Sequence, residues 1–405
     1  MRILITSRGS SGHLTPIAPF AHAALRAGHE VLAAVQEAHQ PNARRLGLPS
    51  TPVPAAPPEV WRPRMAAMME SSFDDANRAM LTEYFGRLDT EHALSALRRI
   101  VQEWRPDVIV RESWEFASTL VGDMLGVPVV RVGLAIGSVE EYGDDLVAPV
   151  LDELRAEHDL EPDRDGRALR GTPYLTMVPD LLEGPAAPAP ASTRRFRHPV
   201  RDDGLALPAA WWPGLDDAPL VYASFGSVTS GVGLPYFPEL YRTTIDALAP
   251  LDARILITVG DGRDLSELGA LPGNVRVESW VPQETVLSNA SAVVTHGGYG
   301  SMLGALAHGV PSVGLPLFSF DQWQNAAAVA RAGAGITLDG DAGERRLLAM
   351  PPADVTDGLA PAVERVLADP SYATSAGRIA DAMELLPAAD AALDVLEATA
   401  QTAAV

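Results

Sequence analysis

The 405-residue sequence contains no cysteine. This absence excludes disulfide bonds, thiol nucleophiles and cysteine-ligated metal sites. The sequence also has no apolar run that approaches the ~20 residues of a membrane-spanning helix. Its first apolar run, residues 3–6, is too short for the hydrophobic segment of a signal peptide. From these absences we expect a soluble, cytoplasmic protein with no membrane partner.

Positively charged residues are scarce. The chain has 31 Lys and Arg residues against 52 Asp and Glu residues, which gives a net charge of −21. Such an acidic surface repels the phosphates of nucleic acids and of anionic lipids, so we expect no nucleic-acid partner. The one basic cluster, Arg194, Arg195 and Arg197, lies in a Pro- and Ala-rich stretch and is interpreted as a solvated linker surface.

The order of the predicted elements indicates an α/β protein of more than one domain. The chain is too long for one ordinary core, and short apolar strands alternate with helical stretches through most of it. A Pro-rich stretch at 184–219 separates two such series. We therefore expect two doubly wound, Rossmann-like parallel-sheet domains facing a central cleft, at 1–205 and 206–380, and a C-terminal segment at 381–405.

The first series begins with a predicted strand at 2–6, a helix at about 14–27 and a strand at 30–35. The Pro-rich stretch 49–63 is predicted to be a loop that carries Trp61 as an exposed aromatic candidate. Residues 65–103 are predicted to be mainly helical and begin with Met65. Their methionines could line a pocket for a large apolar ligand, although packing in the core is the safer interpretation. A region predicted to be loop-like at 133–145 precedes a helix to about 157, and the last strand of this half is predicted at 174–178.

The turn after the first strand contains Gly9 and Gly12 but lacks the third glycine of the dinucleotide fingerprint. It places His13 at the mouth of a strand–helix crevice, where open α/β sheets bind ligands. The positive end of a helix should favour a neutral imidazole, which suits a general base. A histidine that only caps the turn is the alternative.

A carboxylate that could orient this histidine follows a later strand. Glu112 comes just past the predicted strand 107–110, on the sheet edge expected for His13. A carboxylate there can accept a hydrogen bond from Nδ1 and orient the ring. Glu115 is the alternative, but an acid in the first turn of a helix already has a structural explanation.

A second candidate site lies in residues 294–301. A buried strand at 292–295 meets His296 and a glycine-rich turn, and a helix is predicted to begin at about Ser301. The free N–H groups and the positive end of that helix suit an anion, which makes this turn, with Gly298 and Gly300, a candidate diphosphate site. An ordinary strand–helix connection is the alternative.

Other strand ends of the second half carry groups suited to the rest of a nucleotide sugar. Ser227 offers a hydroxyl, Trp280 an indole face on which a base could stack, and Val281 a backbone edge. Asp321 and Gln322 offer hydrogen-bonding groups suited to sugar hydroxyls.

Six motifs occur in this order: Ser-Gly-His-Leu-Thr-Pro at 11–16, Ser-Phe-Gly-Ser at 224–227, Trp-Val-Pro-Gln at 280–283, His-Gly-Gly-Tyr-Gly-Ser at 296–301, Gly-Val-Pro at 309–311 and Asp-Gln-Trp-Gln-Asn at 321–325. Their order and spacing resemble family 1 glycosyltransferases of the GT-B fold. The resemblance is greatest to the actinobacterial enzymes that glycosylate antibiotics and other natural products, and it covers nearly the whole chain.

The resemblance implies inverting transfer of a sugar from a nucleotide diphosphate sugar to a hydroxyl of a small molecule, such as a polyketide or aromatic aglycone, in secondary metabolism. His13 would be the general base, and Glu112 takes the position where the family usually has an aspartate. Ser10 and Gly12 would lie near the reacting centre, and Trp61 and Met65 are compatible with acceptor binding. The last helix would pack back on the first domain, and a homodimer is left open.

The same resemblance assigns the donor to the second half. Trp280 would stack on the base. The diphosphate would be held by His296, Gly298, Gly300 and Ser301, and the sugar by Asp321 and Gln322.

One position departs from the plant members of this family, which usually carry a glutamate eight residues after the histidine to bind both ribose hydroxyls. Here that position is Gly304. We therefore predict that dTDP-sugars are used at least as well as UDP-sugars. No metal or other cofactor is expected, because Asp339-Gly340-Asp341 follows a terminal strand far from the phosphate turn and is interpreted as a surface turn.

The sequence disfavours three other functions. A UDP-N-acetylglucosamine 2-epimerase shares the architecture, but no acid–base set for both sides of a sugar carbon is present. A dehydrogenase would need the missing glycine fingerprint. A non-catalytic partner of another glycosyltransferase is disfavoured because His13 and a nearby carboxylate are both retained.

Overall fold

The computed structural model describes residues 1–184, 190, 192–200, 206–229, 234–340, 345, 347–351 and 353–402. The chain divides into two compact units. The first contains Met1–Val178, Glu183–Arg197 and Leu386–Val405, and the second contains Pro179–Leu182 and His198–Leu385.

The first unit is built on a parallel sheet of seven strands within the described residues, in the order β3-β2-β1-β4-β5-β6-β7. The strands are β1 (Arg2–Ser7), β2 (Glu30–Gln36), β3 (Ser50–Val53), β4 (Val108–Glu112), β5 (Val129–Val132), β6 (Tyr174–Thr176) and β7 (Thr193–Arg195). Ile3, Leu4 and Ile5 are at most 1% exposed, as expected for a central parallel strand covered by helices on both faces.

The helices of this unit are α1 (Ser11–Leu14), α2 (Ala18–Arg26), α3 (Gln40–Arg45), α4 (Pro58–Glu70), α5 (Phe73–Ala79), a π-helix (Met80–Asp89), α6 (Thr90–Trp104), α7 (Ala117–Leu125), α8 (Gly137–Glu157) and α9 (Arg167–Arg170). Helix α6 buries Leu94, Leu97 and Val101, whose spacing places them on one face of the helix. They pack with Ile109 of β4 in one core, and burial of each such side chain contributes about 1.5–3 kcal/mol.

The second unit is a parallel sheet of six described strands in the order β10-β9-β8-β11-β12-β13. Its strands are β8 (Leu220–Ser224), β9 (Arg254–Thr258), β10 (Val275–Glu278), β11 (Ala292–Thr295), β12 (Ser312–Gly314) and β13 (Gly335–Thr337). Its helices are α10 (Gly226–Thr229), α11 (Glu239–Leu248), α12 (Gln283–Leu287), α13 (Tyr299–Ala307), α14 (Phe320–Arg331), α15 (Ala353–Asp357), α16 (Leu359–Ala368) and α17 (Pro370–Glu384). One core joins Val221, Ile255 and Val294 of the central strands to Val363 of α16.

The C-terminal segment belongs to the first unit. Its helix α18 (Ala392–Thr402) packs against α2, and Arg26 forms an ion pair of 2.8 Å with Asp390 just before α18. The sequence-based limit at residue 381 is wrong because that residue lies inside α17, and the change of unit comes at Leu386.

Several predicted elements differ from the structure. The helix expected at 14–27 is interrupted between α1 and α2, around Pro16, which cannot donate a backbone hydrogen bond. The loop expected at 49–63 contains β3 and the start of α4, and α8 begins at Gly137, within the region expected to be loop-like. The strand at 174–176 is not the last of this half, since Arg194 and Arg195 lie in β7 and not in a linker.

Both sheets have the doubly wound strand order that the sequence predicts. In each, the chain first builds the sheet to one side of its first strand and then crosses to the other side. The crossing falls between β1 and β4 in the first unit and between β8 and β11 in the second. Ligands of open α/β sheets bind at the carboxyl ends of the strands at such crossings. In the described part of the chain, no helix combines the length and apolar character required to span a membrane.

Candidate active site

A histidine–carboxylate pair lies at the crossing point of the first sheet. His13 belongs to α1, which follows β1, and Glu112 is the last residue of the neighbouring strand β4. His13 Nδ1 is 2.9 Å from Glu112 Oε1. The Glu112 side chain is fully buried, whereas 20% of the His13 side chain is exposed. A carboxylate only accepts hydrogen bonds, so Nδ1–H donates and Nε2 is left free to take a proton.

The surroundings of Glu112 keep it ionised. Its Oε1 also accepts the Arg8 N–H at 3.3 Å, and its Oε2 accepts the Trp114 N–H at 2.6 Å. Burial on its own would raise the pKa of Glu112, but the interactions with His13, the Trp114 N–H and Arg8 together lower it below the usual value. An ionised Glu112 can therefore fix the tautomer of His13 and stabilise its protonated form.

The other candidate partner, Glu115, has a different role. It accepts a hydrogen bond of 3.1 Å from the Ser118 N–H at the start of α7 and another from the Ser118 hydroxyl. Burial raises the pKa of Glu115. The structure places Glu112, and not Glu115, against His13.

The four candidate acceptor residues lie in the first unit. The Ser10 carbonyl accepts the N–H groups of His13 and Leu14 at 3.0 and 2.9 Å and so begins α1. Around Gly12, the space that a Cβ would point into is open to 4 Å. Trp61 and Met65 are half-buried in α4, so the expectation that Trp61 is an exposed loop residue is wrong.

Trp61 is connected to His13 by a series of aromatic contacts. Its ring lies 6.5 Å from the Tyr84 ring, Tyr84 lies 5.7 Å from Phe85, and Phe85 meets the His13 imidazole edge-on at 6.3 Å. The three aromatic rings therefore form a continuous row that ends at His13 within this unit.

The glycine-rich turn of the second unit lies at the crossing point of its sheet, after β11. Helix α13 begins at Tyr299 with Gly298 as its N-cap, two residues earlier than expected, so Gly300 and Ser301 lie in its first turn. Gly297 has a φ of +82°, and a Cβ there would lie 2.4 Å from the Gln322 carbonyl oxygen. Only glycine fits this position, and the first N–H groups of α13 are left for an anion.

His296 is held beside this helix start in a neutral form. Burial lowers the pKa of His296 to about 4, against an opposing contribution from the Ser224 backbone. A Cβ on Gly226 would lie 2.7 Å from His296 Cε1, and one on Gly298 would lie 2.4 Å from Nε2. The two glycines make room for the ring, which acts as a neutral hydrogen-bonding group rather than as a cation in the free protein.

The other candidate donor residues have varied surroundings. Trp280 follows β10 and is 66% exposed, which leaves an indole face free for stacking. Val281 is half-buried against a core cluster of this unit. Ser227 lies in α10, and its side chain is outside the described part of the structure.

Asp321 and Gln322 lie in the first turn of α14, and both also stabilise local structure. The Ser319 hydroxyl donates to Asp321. Gln322 Oε1 accepts the Leu317 and Phe318 N–H groups at 2.9 and 3.1 Å. The side-chain oxygen Oε1 of Gln322 thus holds the preceding loop, and its side-chain nitrogen Nε2 is the group suited to a ligand.

No set of three or more His, Asp or Glu side chains within the described ranges is arranged to hold a metal ion. Of the Asp-Gly-Asp stretch after β13, Asp341 lies outside the described residues, and Asp339 pairs with Arg345 at 3.7 Å.

Two residues that the sequence did not single out support the candidate sites. Arg8 directs its N–H to Glu112, and its only signal in the sequence is its position directly after β1. Asn325 donates through Nδ2 to the Gly297 carbonyl at 2.9 Å and holds the turn. It is the last residue of the Asp-Gln-Trp-Gln-Asn motif, which was a usable signal.

Family models match both halves of the chain. Residues 22–168 match the N-terminal domain, and residues 242–398 the C-terminal domain, of the family described as "Erythromycin biosynthesis protein CIII-like".

Curated relatives match over nearly the whole length. The L-demethylnoviosyl transferase of Streptomyces niveus is 30% identical over 375 residues, which are 91% of this chain and 93% of that protein. The elloramycin glycosyltransferase ElmGT of Streptomyces olivaceus is 31% identical over 409 residues, 96% of this chain and 94% of that protein.

Solved structures match the whole chain as well. Spinosyn rhamnosyltransferase SpnG superimposes with a TM-score of 0.77 at 24% identity, covering 98% of this chain and 100% of that one. The glycosyltransferase VinC, solved in complex with dTDP, has a TM-score of 0.75 at 22% identity, with 99% and 100% covered. These likenesses establish the GT-B fold. Together with the family models and the curated relatives, they place the chain in the erythromycin biosynthesis protein CIII-like family of actinobacterial natural-product glycosyltransferases, and it is a glycosyltransferase.

Proposed function

We propose that this enzyme transfers a sugar from a dTDP-sugar, with UDP-sugars as second donors, to a hydroxyl of a polyketide or aromatic aglycone, with inversion at the anomeric carbon. The pair formed by His13 and the buried Glu112 is the observation that carries the proposal, because it leaves Nε2 as a general base. The name of a further relative, the TDP-daunosamine transferase DnrS of Streptomyces peucetius, and the dTDP complex of VinC support the nucleotide.

In the proposed reaction, His13 Nε2 takes the proton of the acceptor hydroxyl as its oxygen attacks the anomeric carbon. The bond from that carbon to the diphosphate oxygen breaks, dTDP leaves, and the proton stays on His13, stabilised by Glu112. A single displacement from the face opposite the leaving group inverts the anomeric configuration.

The leaving group is assigned to the turn after β11. The N–H groups at the start of α13 and neutral His296 would donate to the diphosphate as negative charge develops on it. Because these groups are held in place before the reaction, we propose that no metal is needed. Trp280 would stack on the base, Ser227 and Val281 would contact the nucleotide, and Asp321 and the Gln322 amide nitrogen would bind the sugar.

The function is tested by incubating the enzyme with dTDP-α-D-glucose and a panel of hydroxylated aromatic and macrolide acceptors. We expect a glucosylated product by mass spectrometry, with a β-linked anomeric proton by NMR. An α-linked product would contradict inversion. Conversion of the donor sugar to an epimer without an acceptor would favour the epimerase alternative, and the absence of any turnover would contradict the proposed donor and acceptor classes.

The nucleotide preference is expected to follow from Gly304. This residue lies in α13, and a Cβ there would be 3.1 Å from Leu287 Cδ1 and 3.5 Å from Gln283 Nε2. With no carboxylate to grip the 2′-hydroxyl of ribose, dTDP should bind at least as tightly as UDP by isothermal titration calorimetry.

Two variants test whether the residue at position 304 sets this nucleotide preference. Gly304→Glu should shift the ratio of dissociation constants toward UDP, whereas Gly304→Ala adds only a methyl group at the same position and should leave it unchanged. UDP binding to the wild type about tenfold more tightly than dTDP, a difference of about 1.4 kcal/mol, would contradict the prediction.

A further inference from the structure

A small cavity lies at the carboxyl end of the first unit's sheet. It is lined by the ends of β1, β2 and β3, by the stretch after β4, and by the π-helix and α6. Its volume of about 30 Å³ has room for roughly two water-sized groups. Most of its wall is apolar, with Val53, Leu97 and Phe116 among the lining residues.

A buried ion pair forms the polar part of this wall. Arg8 Nη1 donates to Asp89 Oδ2, and the two side chains are only 14% and 8% exposed. Gln36 Nε2 donates to the same oxygen at 3.4 Å, and the Arg8 guanidinium lies 3.9 Å from the centre of the Phe85 ring. The hydrogen bond from Gln36 and the contact with the Phe85 ring therefore fix the positions of Arg8 and Asp89, both of which line the cavity.

One carboxylate oxygen of Asp89 accepts no hydrogen bond within the described residues. Asp89 Oδ1 is buried and has no hydrogen-bond partner within the described part of the chain. Buried polar atoms nearly always have a partner, and a buried carboxylate oxygen without one costs more than a neutral group. Because Asp89 also lines the cavity, we take a donor that enters the cavity as the group that would supply this missing hydrogen bond.

The cavity is separated from the His13–Glu112 pair by residues that contact both. Three of its lining residues contact that pair: Arg8 and Trp114 through their N–H groups to Glu112, and Phe85 through its ring edge to His13. Phe85 thus borders both the cavity and the His13 ring, so a group bound in the cavity would contact the same aromatic side chain as the proposed base. Asp89 is also the last residue of the π-helix, and such helices occur often at functional sites.

We propose that Asp89, held by Arg8, is an acceptor-specificity residue that binds a second hydroxyl of the aglycone, adjacent to the hydroxyl that receives the sugar. The inference rests on the proposed function, because it takes His13 as the base. The positive charge of Arg8 disfavours an ammonium group in the same cavity, and the free Asp89 oxygen disfavours an apolar substituent, which leaves a neutral O–H donor.

The probes are 2,3-dihydroxynaphthalene and 2-naphthol, with dTDP-glucose as donor. Two equivalent hydroxyls account for only about a twofold statistical advantage of the first probe. A hydrogen bond to a charged group should raise its kcat/KM by about tenfold or more over that of 2-naphthol. In Asp89→Ala the ratio of kcat/KM for 2,3-dihydroxynaphthalene to that for 2-naphthol should fall to about the twofold statistical value.

Asp89→Ala leaves Arg8 buried without its partner, so folding is checked by circular dichroism and a second variant is included. Arg8→Met/Asp89→Leu removes both charges, retains the backbone N–H of Arg8, and should lose the same ratio. Glu91→Gln is the matched control, because Glu91 forms its ion pair with Arg87 outside the cavity. It should keep the wild-type ratio.

Equal kcat/KM values for the two probes in the wild-type enzyme, after the statistical correction, would overturn the inference and leave the proposed function intact. A ratio unchanged in both Asp89 variants would overturn it as well. Absence of transfer both to the two probes and to every acceptor of the panel would instead contradict the proposed acceptor class, and with it both proposals.

Discussion

Replacement of His13 by alanine is expected to lower kcat by about 10²–10⁴-fold, the usual contribution of a general base. The dissociation constant for dTDP should stay unchanged, because His13 belongs to the first unit and every residue assigned to the nucleotide belongs to the second. Steady-state kinetics with dTDP-glucose and calorimetric titration of dTDP measure the two quantities separately. A kcat close to the wild-type value would contradict the assignment of His13 as the base.

Glu112→Gln is the matched variant for the same pair. A glutamine can still accept a hydrogen bond from His13 Nδ1, but it cannot stabilise the imidazolium by charge. It must also place its NH₂ group against either the His13 N–H or the Trp114 N–H, since Glu112 accepts from both. We expect a smaller loss of kcat than in His13→Ala, with the same unchanged affinity for dTDP.

Glu115→Gln separates this effect from a general effect of removing a buried acid from the same region. Glu115 hydrogen-bonds to Ser118 at the start of α7, and not to His13. Its loss should therefore change stability more than kcat. A larger loss of kcat in Glu115→Gln than in Glu112→Gln would favour the other carboxylate as the partner of His13.

The sequence was most informative where function depends on the ends of central strands. The apolar runs at 2–6, 107–110 and 292–295 fall on β1, β4 and β11, which are the strands at the two crossing points. Residues that directly follow or end such strands share one edge of a parallel sheet. For this reason the proximity of His13 and Glu112, 99 positions apart, could be predicted without any structure.

Short edge elements and proline-rich stretches were harder to predict. Strand β7 has three residues, two of them arginines, and its pairing with β6 supplies what its composition does not indicate. Prolines suggested a loop around Trp61, but Pro58 lies at the first position of α4, where its missing N–H has no cost to the helix. Composition alone cannot distinguish these cases.

The partners in buried ion pairs could not be predicted from the sequence pattern. Arg8 and Asp89 are 81 positions apart, and Asp89 lies in a helical stretch where an acid is usually exposed. The same is true of Arg131 and Asp144, which join β5 to α8. Each pair forms because two elements pack together with these side chains facing each other, and only the structure shows that orientation.

The pair formed by Arg131 and Asp144 is expected to have the largest effect on stability. Arg131 Nη1 donates to both carboxylate oxygens of Asp144, at 2.7 and 2.8 Å, and the two side chains are only 1% and 3% exposed. Glu140 lies 4.0 Å from the same nitrogen, but its Oε1 accepts the Ser113 hydroxyl and two backbone N–H groups. Removal of Asp144 leaves a buried guanidinium whose remaining carboxylate neighbour, within the described residues, is this more distant Glu140.

Asp144→Ala should therefore destabilise the first unit by about 3–5 kcal/mol, the usual cost of leaving one member of a buried pair uncompensated. Hydrogen exchange followed by mass spectrometry measures this in peptides from β4 and β5, and peptides from β8 and β11 serve as an internal reference in the second unit. Glu153→Ala is the matched control on the same helix α8. Its ion pair with Arg87 is exposed, and its loss should cost about 0–1 kcal/mol.

The double variant Arg131→Met/Asp144→Leu tests whether the cost comes from the unpaired charge or from lost packing. Apolar side chains of similar volume need no compensating charge, so the double variant should recover most of the stability lost in Asp144→Ala. If it is as unstable as the single variant, the contacts of the Arg131 side chain dominate, including its position 4.7 Å from the centre of the Tyr174 ring. A cost for Asp144→Ala no larger than that of Glu153→Ala would show that water or Glu140 compensates Arg131, and would contradict the prediction.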